Sequence, residues 1–219
     1  RKGHPTDGMW GLQTNGFYRD EADVASSPSS SFGEVQPGDI KYIDQNKDGI
    51  IDEKDEVYLN ARYGWQGAPF TMGVNLTLKW KGLTFFALGT GYYGASAMKN
   101  SNYYWVYGDR KYSEIVRNRW TPETANTATY PRLTTLSNTH NFLNSDFWLC
   151  KTDRFKLAKV QLTYDFPKSL FQGSFIHNLS AYVYATNLLT IAKERETLEL
   201  NTGRSPQNRF YNIGFKIGF

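Results

Sequence analysis

Residues 44–55 read DQNKDGIIDEKD, which sets Asp44, Asn46 and Asp48 on alternate positions, places Gly49 after them and closes on Asp55. Side-chain oxygens at the first, third and fifth positions and a glycine at the sixth are the spacing of a calcium loop. The Ile50 carbonyl falls at the seventh position and Asp52 at the ninth, where ligation often runs through water. The twelfth position departs from the pattern, because the usual bidentate Glu is replaced by Asp55, whose shorter side chain reaches less far. No clear helix flanks the segment on both sides. It therefore reads either as a lone calcium loop holding a structural Ca2+ or as an Asx-rich turn that binds nothing. In both cases its role is to stiffen a loop, and extracellular calcium saturates sites with dissociation constants of about 0.1–1 mM.

Other chemistry is sparse. GTGYYG, with Gly89, Gly91 and Gly94, formally matches a dinucleotide fingerprint. That fingerprint needs a helix next, and ASAMKNSNYYWVYG has no apolar stripe to make one. The glycines instead fit a strand that bends or packs tightly. His4, His140 and His177 are isolated, and neither HExxH nor GxSxG spacing occurs, so the chain reads as a non-enzyme. The richest surface segment is YYWVYGDRKYSEIVRNRW. It offers Tyr103, Tyr104, Trp105, Tyr107, Arg110 and Trp120, with Arg117 and Arg119 beside them and a short helix expected from Ser113 to Arg119. These are the residue types of interface hot spots, and aromatic faces also stack on sugars. They serve equally to fold a long loop onto itself.

The elements that must carry these residues are strands. Aromatics make up 16% of the 219 residues, as 15 Tyr, 14 Phe and 6 Trp, beside 19 Gly. This mixture favours strands and turns. Charge is nearly balanced, 25 Lys plus Arg against 21 Asp plus Glu, and scattered, which argues against nucleic acid as a partner. The single Cys150 excludes an internal disulfide framework. No run approaches the roughly 18 apolar residues of a membrane helix, and no signal peptide opens the chain. A soluble protein and a membrane β-barrel, whose strands are only alternately apolar, both remain open.

In FTMGVNLTLKW, Phe70, Met72, Val74, Leu76, Leu78 and Trp80 alternate with Thr71, Gly73, Asn75, Thr77 and Lys79. This predicts a strand with one dry and one wet face. A turn at Lys81-Gly82 leads into a second strand, LTFFALGTGYY. Residues 155–166 form a third, with a parity slip that a bulge near Ala158 repairs. Residues 179–191 form a fourth. The last, YNIGFKIGF, alternates Tyr211, Ile213, Phe215, Ile217 and Phe219 with polar residues and glycine. Between them the links alternate shorter (Lys81-Gly82, minimal, and 167–178, moderate) and long (94–147, 194–206), with residues 1–69 as a long outer loop region. Transmembrane barrels sort short turns and long loops to opposite sides in this way. Five strands cannot close a barrel, since small ones need about eight, so the chain is expected to be part of a larger protein.

PGDIKYIDQNKDGIIDEKD, PFTMGVNLTLKWKGL, RWTPETANTATYPRL, RFKLAKVQLTYDFPKSL and AYVYATNLLTI, in that order before a terminal aromatic strand, resemble the C-terminal part of the SusC/RagA-type TonB-dependent outer-membrane transporters of Bacteroidota. The resemblance runs from about Gly38 to Phe219 and more loosely from Gly8. It implies an all-β fold, the last five antiparallel strands (70–219) of a large transmembrane barrel with long extracellular loops, in the outer membrane. It also implies a plug and a TonB contact upstream of this chain, a SusD-like lipoprotein partner, and glycan or peptide cargo. The apolar rows Phe70 to Trp80 and Tyr211 to Phe219 would then meet outer-membrane lipid, and Asn75, Thr77, Lys79, Gln161, Thr163 and Lys216 would face the lumen. The competing expectation is a soluble secreted β-sandwich that binds carbohydrate and carries a structural calcium loop.

Overall fold

The computed structural model describes residues 2–64, 68–135, 139–201 and 205–219. The loop positions 65–67, 136–138 and 202–204, expected within the long connections, lie outside the described residues. The chain divides into two compact units, Arg1–Tyr63 with Ser96–Cys150, and Gly64–Ala95 with Lys151–Phe219. The long excursion after the first hairpin thus folds with the N-terminal region.

The second unit is built on one antiparallel sheet of five strands: β1 (Phe70–Trp80), β2 (Leu83–Tyr93), β3 (Arg154–Asp165), β4 (Asn178–Ile191) and β5 (Phe210–Gly218). Their order across the sheet is β5-β4-β3-β2-β1. Lys81 and Gly82 join β1 to β2 with φ of 44° and 83°. Two successive positive φ values match the right-handed twist of a hairpin. A Cβ on Gly82 would also meet the Asp165 carbonyl oxygen at 2.8 Å. The slip in β3 is a bulge: the register shifts between Leu157 and Lys159 against both neighbours. The extra residue restores Val160, Leu162 and Tyr164 to the face of Phe155 and Leu157. Opposite it β4 carries its own irregularity, since Thr186 pairs with Lys159 but Leu189 with Leu157, and Asn187 between them has φ 55°.

The first unit has little regular structure: short strand pairs, a five-residue helix (Glu21–Ala25) and 3-10 turns, one of which, Glu114–Asn118, occupies the expected helical stretch. Its order comes from a core of Leu12, Ile40, Tyr42, Ile51, Tyr104, Val106, Val116, Tyr130, Phe142 and Trp148. Buried polar groups cross-link it. The wholly buried Asp39 carboxylate pairs with Arg132 at 2.7 Å and accepts from Asn141 Nδ2 (2.7 Å) and from the Gln36 N–H (2.8 Å). Tyr130 Oη donates to the Tyr104 carbonyl and accepts from the Val106 N–H, and burial pushes its pKa up to about 12. His140 is held between the Ile40 carbonyl (2.7 Å from Nε2) and Ser30 Oγ (2.8 Å from Nδ1). A carbonyl only accepts, so Nε2 carries the proton and Nδ1 accepts from Ser30.

Candidate functional site

The candidate site is the pair of surfaces that the five-stranded sheet presents. Residues directly opposite one another across strands share a face, so the register assigns both. Val74 lies opposite Gly89, Leu76 opposite Ala87, Leu162 opposite both Phe85 and Val183, and Val183 opposite Ile213. Extended this way, one face carries Phe70, Met72, Val74, Leu76, Leu78 and Trp80 of β1 and Tyr211, Ile213, Phe215 and Ile217 of β5, as the alternation predicts. Phe219, one residue past β5, continues that row.

The same face includes residues that sequence reasoning did not assign: Phe85 and Tyr93, Leu157 and Leu162, Val183 and Leu189. Leu83–Tyr93 has apolar residues on both parities, Phe85 beside Phe86 and Ala87 beside Leu88. Alternation is blind there, and only pairing with β1 resolves the faces. No Asp, Glu, Lys or Arg lies on this face among the described residues. Along β1 and β5 its side chains are exposed, from 47% at Ile217 to 78% at Ile213, except the half-buried Met72. Such a continuous, charge-free apolar surface is foreign to water-facing proteins and suited to hydrocarbon.

The opposite face is polar. Thr71, Asn75, Thr77 and Lys79 of β1 share it with Gln161, Thr163 and Asp165 of β3, Ser180 and Tyr184 of β4, and Lys216 of β5. Arg154, Lys156 and Lys159 add a row of cations along β3. The Arg154 guanidinium lies 4.5 Å from the Tyr92 ring centre, the Lys159 ammonium 4.7 Å from that of Tyr184, and Lys156 Nζ donates to Gln207 Oε1 at 2.8 Å. This face can hold charge and hydrogen-bond water or solutes, and the other cannot.

Gly89 and Gly91 lie within β2 on the apolar face, and no helix follows them, so the fingerprint match has no nucleotide cradle behind it. A Cβ on Gly89 would run into the Phe155 ring, and one on Gly91 would meet Met72 at 3.0 Å. These glycines make room for cross-strand side chains.

The 44–55 loop is wrapped on its own backbone. Asp44 accepts from the N–H groups of Lys47 (2.6 Å) and Gly49 (2.9 Å), Asn46 Oδ1 from that of Asp48, and Asp48 Oδ1 from that of Ile50. Asp55 is wholly buried and accepts from the Gln45 and Asp52 N–H groups, at 2.8 and 2.9 Å. Lys54 Nζ sits 3.2 Å from Asp52 and 3.9 Å from Asp48. The hydrogen bond from the Lys54 N–H, followed by the ammonium, holds the Asp52 carboxyl below its ordinary range. Among the described residues no three His, Cys, Asp or Glu side chains converge to hold a metal ion. The side-chain oxygens of Asp44, Asn46 and Asp48 thus each accept from the loop's own backbone, the bonding of an Asx-rich turn.

The aromatic segment turns largely inward. Tyr104 and Trp120 are buried, which corrects their expected place on a binding surface: Tyr104 belongs to the core, and the Trp120 ring lies against Gly38, where a Cβ would collide with it. Tyr103, Trp105 and Tyr107 are half-buried and pack on the core. Arg110 lies 4.0 Å over the Tyr107 ring and donates to the Trp105 carbonyl and to Tyr107 Oη, each at 2.8 Å. The loop uses these residues first to fold itself.

No family model matches the chain. A TonB-dependent receptor, P26, of Formosa agariphila is 32% identical over 158 residues, 69% of this chain and 15% of the receptor. Chains in structures of the RagAB peptide importer superpose with a TM-score of 0.67. In the open-open state the identity is 22%, over 97% of this chain and 22% of that chain, and in the closed-closed state 21%, over 97% and 23%. At such identity the importer likeness speaks for the fold. The chain spans about a seventh of the curated relative it matches and under a quarter of the importer chains. Sequence likeness to the receptor, 32% over more than two thirds of the chain, shows that this chain belongs to the TonB-dependent receptors, with the fold seen in the RagAB importer chains.

Proposed function

We propose that the protein containing this chain imports large nutrients, oligosaccharides or peptides, across the outer membrane, energised through TonB by a segment upstream and working with a SusD-like surface lipoprotein. The observation that carries the reading is the two-faced sheet, whose apolar face has no charge and whose polar face has a row of cations. A barrel wall needs both, lipid outside and a wet lumen inside. In this reading the Lys81-Gly82 turn and the 167–177 link face the periplasm.

A soluble carbohydrate-binding sandwich would cover the apolar face with a second sheet, and among the described residues no other strand pairing exceeds two strands. For the 44–55 loop we propose stiffening by its own hydrogen bonds, with calcium at most a secondary occupant.

The test is fractionation of the full-length protein. It is expected in the outer membrane, with heat-modifiable migration on a gel, co-purifying with a lipoprotein, and its deletion should abolish growth on one class of oligomeric nutrient. A protein that is soluble and monomeric without detergent would overturn the reading.

A further inference from the structure

The link from β3 to β4, FPKSLFQGSFIH (166–177), is long for the short-turn side of a barrel and has an unusual composition. It contains Phe166, Leu170, Phe171, Phe175 and Ile176, two basic-type residues, Lys168 and His177, and no Asp or Glu. It has a defined course. Residues Lys168–Phe171 form a 3-10 turn, Leu170 N–H donates to the Pro167 carbonyl (3.1 Å), Ser174 N–H to that of Phe171 (3.0 Å), and His177 N–H to that of Gly218 (2.8 Å). Gly173, at φ 82°, reverses the chain between them. The fold thus secures the backbone but leaves Leu170 and Phe175 in the open, 65% and 73% exposed.

The place where they emerge decides what covers them. The Phe175 ring stacks on Phe219, centres 5.7 Å apart and planes within 12°. Phe219 continues the apolar row Tyr211, Ile213, Phe215, Ile217, so Phe175 extends the charge-free face and not the polar one. On the same rim Trp80 ends the β1 row with the Lys81 ammonium 5.1 Å from its ring centre, and Tyr164 packs edge-on against Phe166. Aromatic rings at the edge of an apolar band, with Lys beyond them, are the composition of a membrane interface.

We propose that residues 167–177 form an interfacial foot lying in the phospholipid leaflet at the short-turn end. Leu170 and Phe175 enter the acyl-chain boundary beside Phe219 and Trp80, while Lys168 and Lys81 reach the lipid phosphates. The occupant is a phospholipid monolayer, because the foot continues the lipid-facing surface and carries only positive charge, which anionic headgroups attract. The inference rests on the barrel reading.

The experiment places single cysteines at Leu170, Phe175 and Val74 of the full-length protein, in a background with Cys150 and any other cysteine replaced by Ser. Each is labelled with bimane in nanodiscs of phosphatidylethanolamine and phosphatidylglycerol. The foot is expected to give blue-shifted emission at 170 and 175, quenched more by a spin label near the headgroup than by one near the chain end, and spared by iodide. Val74 should show the opposite depth order. Iodide quenching at 170 and 175 with lipid quenching retained at Val74 would overturn the foot and leave the barrel standing. Iodide quenching at Val74 would remove both. If Phe175→Cys fails to fold, Ser169→Cys, at an exposed position of the same turn, reports the same depth.

Discussion

The two units spend the same kind of residue in opposite ways. In the first, Trp148, Tyr130, Ile40 and Ile51 are almost wholly hidden, and the polar groups among them, Asp39, Asn141 and His140, are each paired. In the second, Phe70, Val74, Ile213 and Phe215 are more than half exposed, in unbroken rows with no charge between them. The first unit follows the rule for water, in which apolar burial drives folding and buried polar groups must be satisfied. The second satisfies its backbone within the sheet and turns its apolar side chains outward, the rule for lipid. Exposure of a Phe is thus an error in one solvent and a requirement in the other. The repeat of the pattern, scattered or strictly alternate, shows which solvent is meant.

The largest expected effect breaks the water-facing half. Trp148 stacks with Phe142 and packs edge-on against Tyr130 and Phe147, and its Nε1 donates to the Asn141 carbonyl at 2.8 Å. Trp148→Ala should cost about 3–5 kcal/mol in the first unit, as large buried aromatics do. The expected sign is rapid proteolysis within 96–150 while the barrel keeps its heat-modifiable migration. Loss of both together would mean the units do not divide the labour as described.

Next in size is the lipid-facing half. Val74 is 54% exposed, so in water Val74→Arg would be nearly neutral. On a lipid face near the midplane it should cost about 2–4 kcal/mol, whereas Thr77→Arg, on the polar face, should cost little. Equilibrium unfolding in bilayers reads the difference directly. Equal behaviour of the two variants would erase the distinction between the faces.

How far sequence reasoning reached follows the same division. In the sheet, period-two alternation made β1 legible to the residue and β5 to within one at each end, and the parity slip located the β3 bulge, because the pleat itself is the code. It gave less where both faces are apolar, as at Phe85 and Phe86, and it did not reveal the irregularity at Asn187, where Leu188 and Leu189 follow on both parities. In the first unit the core was illegible. Leu12, Ile40, Tyr104 and Trp148 come together from distant segments with no shared period, and Tyr104 and Trp120 carry the composition of a binding surface while packing inward. The calcium-type spacing was readable as a turn. What it could not disclose was that its carboxylates are occupied by backbone N–H groups.

A smaller effect tests the polar knot of the first unit by pH. Burial lowers the His140 pKa, against the raising influence of the Ile40 carbonyl and Asp39 and with that of Arg132. Tyr18 and Tyr42 are the other titratable groups packed on it, and burial raises both. A histidine that is harder to protonate folded than unfolded contributes stability that is complete above the unfolded value near 6.5. That contribution is lost as pH falls from there to the depressed folded value, at no more than about 1.4 kcal/mol per pH unit. The carboxylate of Asp23, lowered by its 2.5 Å hydrogen bond to Lys41, acts only further down, below its ordinary 3.8. Melting of the first unit should therefore weaken as pH falls below about 6.5, and His140→Gln should flatten that slope. An unchanged slope would assign the pH response elsewhere.

The smallest expected effect concerns calcium, and it asks whether the water-facing unit needs anything beyond its own hydrogen bonds. An ion at 44–55 would have to share Asp44 with the Lys47 and Gly49 N–H groups and Asp55 with those of Gln45 and Asp52, and Lys54 competes for Asp48 and Asp52. Chelation should therefore shift the melting of the first unit by less than about 0.5 kcal/mol, the size of an ordinary surface change. A clear rise in stability on adding millimolar calcium, abolished by Asp48→Ala, would show instead that the loop opens to bind. Part of the order in the first unit would then come from a bound ion and not from its own hydrogen bonds alone.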